Sequence, residues 1–180
     1  MKIAIPAGPS EIFEFPRFTL PEFDFVVRPD ALIVSPSRMA GEALARSEDA
    51  VAAMLENLPH TPINGVGHNF EFCDGDPDPQ HLGVFTNASQ DVADNAPEGW
   101  TPVLTMIASS FRIGDGNTIA NIQRQFDGTN TIVNFNFHHS VMNIQQATQV
   151  LRGDNPYVKM QQHFEIARSL VASSLWSRAL

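Results

Sequence analysis

The sequence predicts an α+β fold: a two-layer domain with a mainly antiparallel sheet of about five or six strands, helices packed on one face, and a long C-terminal helix as the principal cover. Three observations lead there. Short phenylalanine-rich runs punctuated by proline open the chain, with six of the 13 prolines and five of the 13 phenylalanines in the first 36 residues. Alternating apolar runs joined by Asp-Gly turns fill the stretch from Val103 to His139. From Asn143 onward the apolar residues recur at helical spacing. A chain of 180 residues fits one domain, residues 1–180, large enough to remove roughly 70% of its unfolded surface from water without a metal or disulfide staple.

Proline lacks an N–H and sits at strand starts, edges and turns, so Pro16, Pro21 and Pro29 divide the opening into extended segments. Ile12–Phe15 and Phe23–Val27 read as strands. Val27-Arg28-Pro29-Asp30-Ala31 has turn chemistry, which returns Leu32–Ser35 as the second arm of a hairpin. Ser47 followed by Glu48 and Asp49 looks like an N-cap with acids in the first turn, and Val51, Met54, Leu55 and Leu58 follow at helical intervals. A helix over about residues 47–58 is expected, with an earlier start near Met39 as the alternative. Pro59 and Pro62 close it, and Ile63–Cys73 then alternates as a strand whose Val66, His68, Phe70 and Phe72 share one face. Residues 74–102 are acidic, rich in proline and glycine and without a sustained period, the pattern of a long loop.

Ile113–Thr118 places Asp115-Gly116 between two alternating runs, a strong hairpin signal, and Asp127–Asn130 makes a second turn. Pairing Gly114 with Asn117 sets Phe111 opposite Ala120; pairing Phe126 with Thr131 sets Ala120 opposite Phe137. Both registers collect Ile107, Phe111, Ile113, Ala120, Ile122, Phe126, Val133, Phe135, Phe137 and His139 on one apolar face. Asn143 with Gln146 forms a capping box for a helix ended by Gly153. Asp154 or Asn155 is expected to cap the last helix, whose stripe is Met160, Phe164, Ala167, Leu170, Val171, Leu175 and Trp176.

Eleven basic and 20 acidic residues give a net charge of −9, which repels phosphate backbones and anionic membranes, so neither nucleic acid nor membrane is an expected partner. Only Lys2 precedes the prolines at positions 6 and 9, which is no secretory signal, and a single cysteine, Cys73, cannot form an internal disulfide; a cytoplasmic, bacterial-type protein is expected.

Catalytic motifs are scarce. His138 and His139 are adjacent on a strand and point to opposite faces, so they cannot share a metal on regular backbone. An alternative site would gather His68, Glu71, His138 and His139 between neighbouring strands, with the acidic loop as a lid, in an enzyme or a small-ligand or metal-binding protein. Asp74-Gly75-Asp76-Pro77-Asp78 begins like a calcium loop, but Pro79 and Phe85 stand where an EF-hand needs glycine and glutamate. No cofactor and no metal are expected.

The other face of the meander carries uncharged amides. Ser110, Asn121, Gln123, Asn134, Asn136 and His138 fall side by side, and from Val103 to Val150 only Arg112, Asp115, Arg124 and Asp127 are charged. Amides with few charges are what a partner-facing surface tolerates. The expected function is therefore non-catalytic: an oligomeric or accessory subunit of a cytoplasmic assembly that binds a protein partner, itself or another, through this face.

Overall fold

The computed structural model describes residues 2–4, 16–87, 90–114 and 117–172. The expected strand Ile12–Phe15, the turn residues Asp115 and Gly116, and Leu175 and Trp176 of the expected last helix lie outside the described residues. The chain is α+β with antiparallel sheets, but its strands form two four-stranded sheets where one of five or six was expected. It divides into two compact units, residues 1–63 with 143–161, and residues 64–142 with 162–180.

The first unit holds the strands β1 (Lys2–Ala4), β2 (Arg17–Thr19), β3 (Phe23–Val27) and β4 (Leu32–Pro36), paired in sequence order. The hairpin of β3 and β4 turns at the expected place, with Val27 opposite Leu32 and the Arg28 N–H donating to the Ala31 carbonyl. The helix α1 (Gly41–Glu56) starts well before Ser47. Ser47 is no cap: it is buried inside the helix, and its hydroxyl donates to the Ala43 carbonyl one turn back at 2.9 Å. Leu44, Ala52 and Leu55 of α1 are buried, as are Ala147, Val150 and Leu151 of the helix α4 (Ile144–Arg152), which packs against α1. The ends of α4 follow the sequence reading. Asn143 Oδ1 accepts from the Gln146 N–H at 2.9 Å, and Gly153 takes the left-handed φ of +68° that glycine adopts without steric cost.

The second unit is built on β5 (Gly65–Asp74), β6 (Thr105–Ile113), β7 (Thr118–Phe126) and β8 (Thr131–Ser140), in the order β5-β8-β7-β6. The expected registers are present residue for residue: Phe111 lies opposite Ala120, Ala120 opposite Phe137, and Ile122 opposite Phe135. Asp127 makes the second turn, its carboxylate accepting from the N–H groups of Thr129 and Asn130 at 2.9 and 2.7 Å, with Gly128 at φ +90°. Those bonds, the ones from Asn130 first, hold the Asp127 carboxyl below its usual range.

Three further expectations need correction. The last helix, α5, runs from Met160 to Leu170, so within the described residues it is neither long nor capped by Asp154 or Asn155. Its first N–H instead donates to the carboxylate of Glu48, 112 positions earlier, at 2.7 Å. Residues 74–102 are not featureless, since Pro79–His81 forms a 3₁₀ turn and α2 (Gly83–Thr86) and α3 (Gln90–Asp94) are short helices. Phe85 of α2 is fully buried and Arg124 of β7 donates to the Val84 carbonyl at 3.0 Å, so an apolar anchor and a carbonyl bond fasten the segment to the sheet. Finally, Phe111 and Ile113 belong to the apolar face by register yet are 53% and 37% exposed. β6 is one of the two outer strands, and the rings of α5 pack on the other, β5, and on β8.

Candidate functional site

The two faces of the second unit's sheet present different chemistry. On the covered face, Phe70, Phe72, Val133, Phe135 and Phe137 are buried, and Phe164 of α5 sets its ring 5.5 Å from that of Phe70 and 6.2 Å from that of Phe72. At one end of this face the phenylalanines give way to His68 of β5, His139 of β8 and His163 of α5, which are 3%, 1% and 2% exposed. One ring nitrogen of each lies within 4.8 Å of the other two.

Pairing of β5 with β8 explains the first two members. Val66 stands opposite His139 and His68 opposite Phe137, which puts both imidazoles on the covered side and their ring centroids 5.3 Å apart. His163 arrives from the helix, and its ring stacks on Phe137 at 4.1 Å and 5°. The Nδ1 atoms of His68 and His163 are 2.9 Å apart, and His139 Nδ1 is 2.9 Å from the Thr118 hydroxyl of β7. Burial, followed by the nearby His163 and His139, lowers the pKa of His68 to about 3. Burial first, then His138, lowers that of His139 to about 4, and burial with His139 does the same to His163. All three imidazoles are neutral at pH 7.

This geometry divides the set His68, Glu71, His138 and His139. Glu71 pairs with Asn134 and His138 with Gly67 and Ile119, so both belong to the opposite face, by the alternation that separates neighbours along a strand. His163 is the member that the sequence reading passed over. Its signal was present in the helical spacing, because His163, Ala167 and Val171 recur every four residues and all are buried.

On the outer face, the amides meet across all four strands. Ser110 Oγ donates to Asn121 Oδ1 at 2.7 Å, Asn121 Nδ2 to Asn136 Oδ1 at 3.0 Å, and Asn136 Nδ2 to Asn69 Oδ1 at 2.7 Å. The row follows from the register, which sets Ser110 opposite Asn121, Asn121 opposite Asn136, and Asn136 opposite Asn69. Asn69 on β5 extends the row beyond the residues singled out from the meander. Gln123 and Asn134 lie opposite one another, and with Asn69, Glu71, Asn121 and Asn136 they line an open depression. His138 lies beside Gly65, where a Cβ would stand 2.5 Å from its ring, so the missing side chain leaves space for the imidazole. Ser110 is exposed, and Asn121, Gln123, Asn134, Asn136 and His138 are half-buried.

No helix among the described residues is long and apolar enough to cross a membrane. No known protein family, curated protein or solved structure matches the chain.

Proposed function

We propose that the chain is a non-catalytic interaction protein, an oligomeric or accessory subunit of a cytoplasmic assembly, that binds a protein partner through the outer face of the second unit's sheet. The observation that carries this reading is the amide row from Ser110 to Asn69, in a face with very few charges. Amides exchange water for partner hydrogen bonds at lower cost than charged groups, so such a surface is covered and uncovered reversibly.

The edge of the sheet supports the same reading. Natural edge strands are blunted by lysine, proline or bulges. β6 has neither lysine nor proline, and its only charge is Arg112. Met106, Phe111 and Ile113 are exposed along it at 52%, 53% and 37%. A strand from the partner can add to this edge and continue the sheet, with the amide row beside it giving specificity.

The test places charge on the face while keeping the amide-to-amide bonds of the row, giving up only the bond from the exposed Ser110 hydroxyl to Asn121. Asn121 and Asn136 hydrogen-bond one another, so the suitable positions are Ser110 at the end of the row and Gln123 in the depression. Ser110→Lys with Gln123→Lys should move stability by less than about 0.5 kcal/mol per site. The pair should also weaken the native assembly, as read by native mass spectrometry and co-purification from the source cells; Gln145→Lys on the exposed side of α4 serves as control. The same oligomer and the same co-purified proteins in wild type and double variant would remove this face from the function.

A further inference from the structure

We propose that His68, His139 and His163 form a binding site for one divalent late first-row transition metal ion, with zinc as the reference case, that clamps α5 to β5 and β8. The geometry carries the assignment. Three separate elements each deliver one imidazole to a common point, and the candidate ligand atoms already lie within 4.8 Å of one another. Tetrahedral nitrogen ligands at about 2.0–2.1 Å from zinc are about 3.3 Å apart, so side-chain rotations of roughly 1.5 Å or less complete the set. The ring of His163 is held in plane by Phe137, and Thr118 stands behind His139. When the Thr118 hydroxyl accepts from Nδ1–H, His139 offers Nε2 as its ligand, the outer-sphere arrangement that usually fixes the tautomer of a metal-bound histidine.

The donor chemistry selects the class of ion. All three ligands are imidazoles and the cluster contains no carboxylate, which suits zinc, copper, nickel or iron and does not suit magnesium or calcium. The site is buried, with its ligands no more than 3% exposed; three imidazoles leave the fourth position of a tetrahedral ion to a water molecule, and because the ligands come from β5, β8 and α5 the bound ion fastens the helix to the sheet. The environment also holds the rings in the ligating form, because burial disfavours the imidazolium. In the empty cluster one of the paired Nδ1 atoms of His68 and His163 bears the proton shared between them. On metal binding that ring carries its proton on Nε2 instead, so three neutral imidazoles hold a dication and no proton is lost overall. The inference is independent of the outer amide face. It replaces the expectation of a metal-free protein, which rested on the divergence of His138 and His139; His139 finds its companions on two other elements.

The experiment uses the full chain, stripped with chelator and titrated with zinc and with cobalt(II). Expected are one equivalent bound, an upward shift in Tm on loading, the visible absorption of tetrahedral cobalt(II), and an X-ray absorption spectrum fitted by three imidazoles and one oxygen ligand. His139→Gln should weaken binding by more than the roughly 10–100-fold that loss of an outer-sphere partner costs, and Thr118→Val by about that outer-sphere factor. His60→Gln, at an exposed position of the first unit, should leave the zinc affinity and the cobalt(II) spectrum unchanged. Should His139→Gln fail to fold, the wild-type X-ray absorption spectrum decides alone. Binding far below one equivalent, a shell of oxygen ligands only, or full affinity retained in His139→Gln would overturn the site.

Discussion

Glu48 shows what a single side chain can be made to do. It is 1% exposed inside α1, and its carboxylate accepts the first N–H of α5. Burial raises its pKa from 4.5 to about 7, against the lowering effects of the Met160 N–H and of Lys159. Because the folded value lies above the unfolded one, its contribution to stability is complete below about pH 4.5 and is lost as the pH rises through about 7, in all on the order of 3 kcal/mol. Glu48→Gln keeps an acceptor for Met160 and cannot ionise. Its urea midpoint should therefore exceed that of wild type by an amount that grows between about pH 5 and pH 8. A difference that stays constant across that range would mean that the carboxyl does not titrate in the folded protein. In the sequence Glu48 read as a first-turn acid after Ser47, a local pattern that said nothing about a carbonyl one turn back or an N–H 112 positions away.

Among the elements, the meander was the most legible and the helices the least. Period-2 alternation excludes a one-residue slip if all apolar residues are to share a face, and turn geometry selects among the registers that remain, as the Asp127 turn does for β7 and β8, so β6, β7 and β8 pair as their sequences dictate. Which part of the face is covered was invisible. Phe135→Ala, at 1% exposure beneath the ring of Phe72, should cost about 3–5 kcal/mol, whereas Phe111→Ala at the outer strand should cost under about 0.5 kcal/mol. Urea midpoints of the two variants check this, and equal losses would show that the outer strand is covered after all. The capping of α4 is local and was read correctly. Asn143→Ala should destabilise by about 1 kcal/mol and Asn143→Asp should restore most of it, measured by the same melts; no loss in the alanine variant would mean that the Gln146 N–H finds another acceptor.

For the molecule as a whole, charge and composition make their own prediction. With 11 basic and 20 acidic residues, the chain should neither retard duplex DNA at low salt nor bind anionic vesicles. Salt-sensitive retardation in a gel-shift assay would reveal a basic patch that outweighs the net charge. The same composition led to the expectation of one sheet, because alternation marks strands without saying which of them are neighbours. Among the described residues eight strands separate into two sheets, each within its own compact unit. β5, the strand that completes the second sheet, joins β8 across an intervening stretch that includes the acidic segment, β6 and β7.

The sequence alone determined the features whose causes lie within a few residues: the β3–β4 hairpin, the registers of the meander, the division of its residues between an apolar and an amide face, and both ends of α4. Turn chemistry, alternation and capping act over short distances and leave their pattern in neighbouring letters. Only the tertiary structure decided that Glu48 meets Met160, that Phe85 pins the acidic segment, and that His68, His139 and His163 share one buried end of a sheet. Those contacts join residues tens of positions apart, and they depend on strand order and on where a helix lands, quantities set by the burial of the whole apolar face and by no single stretch of it.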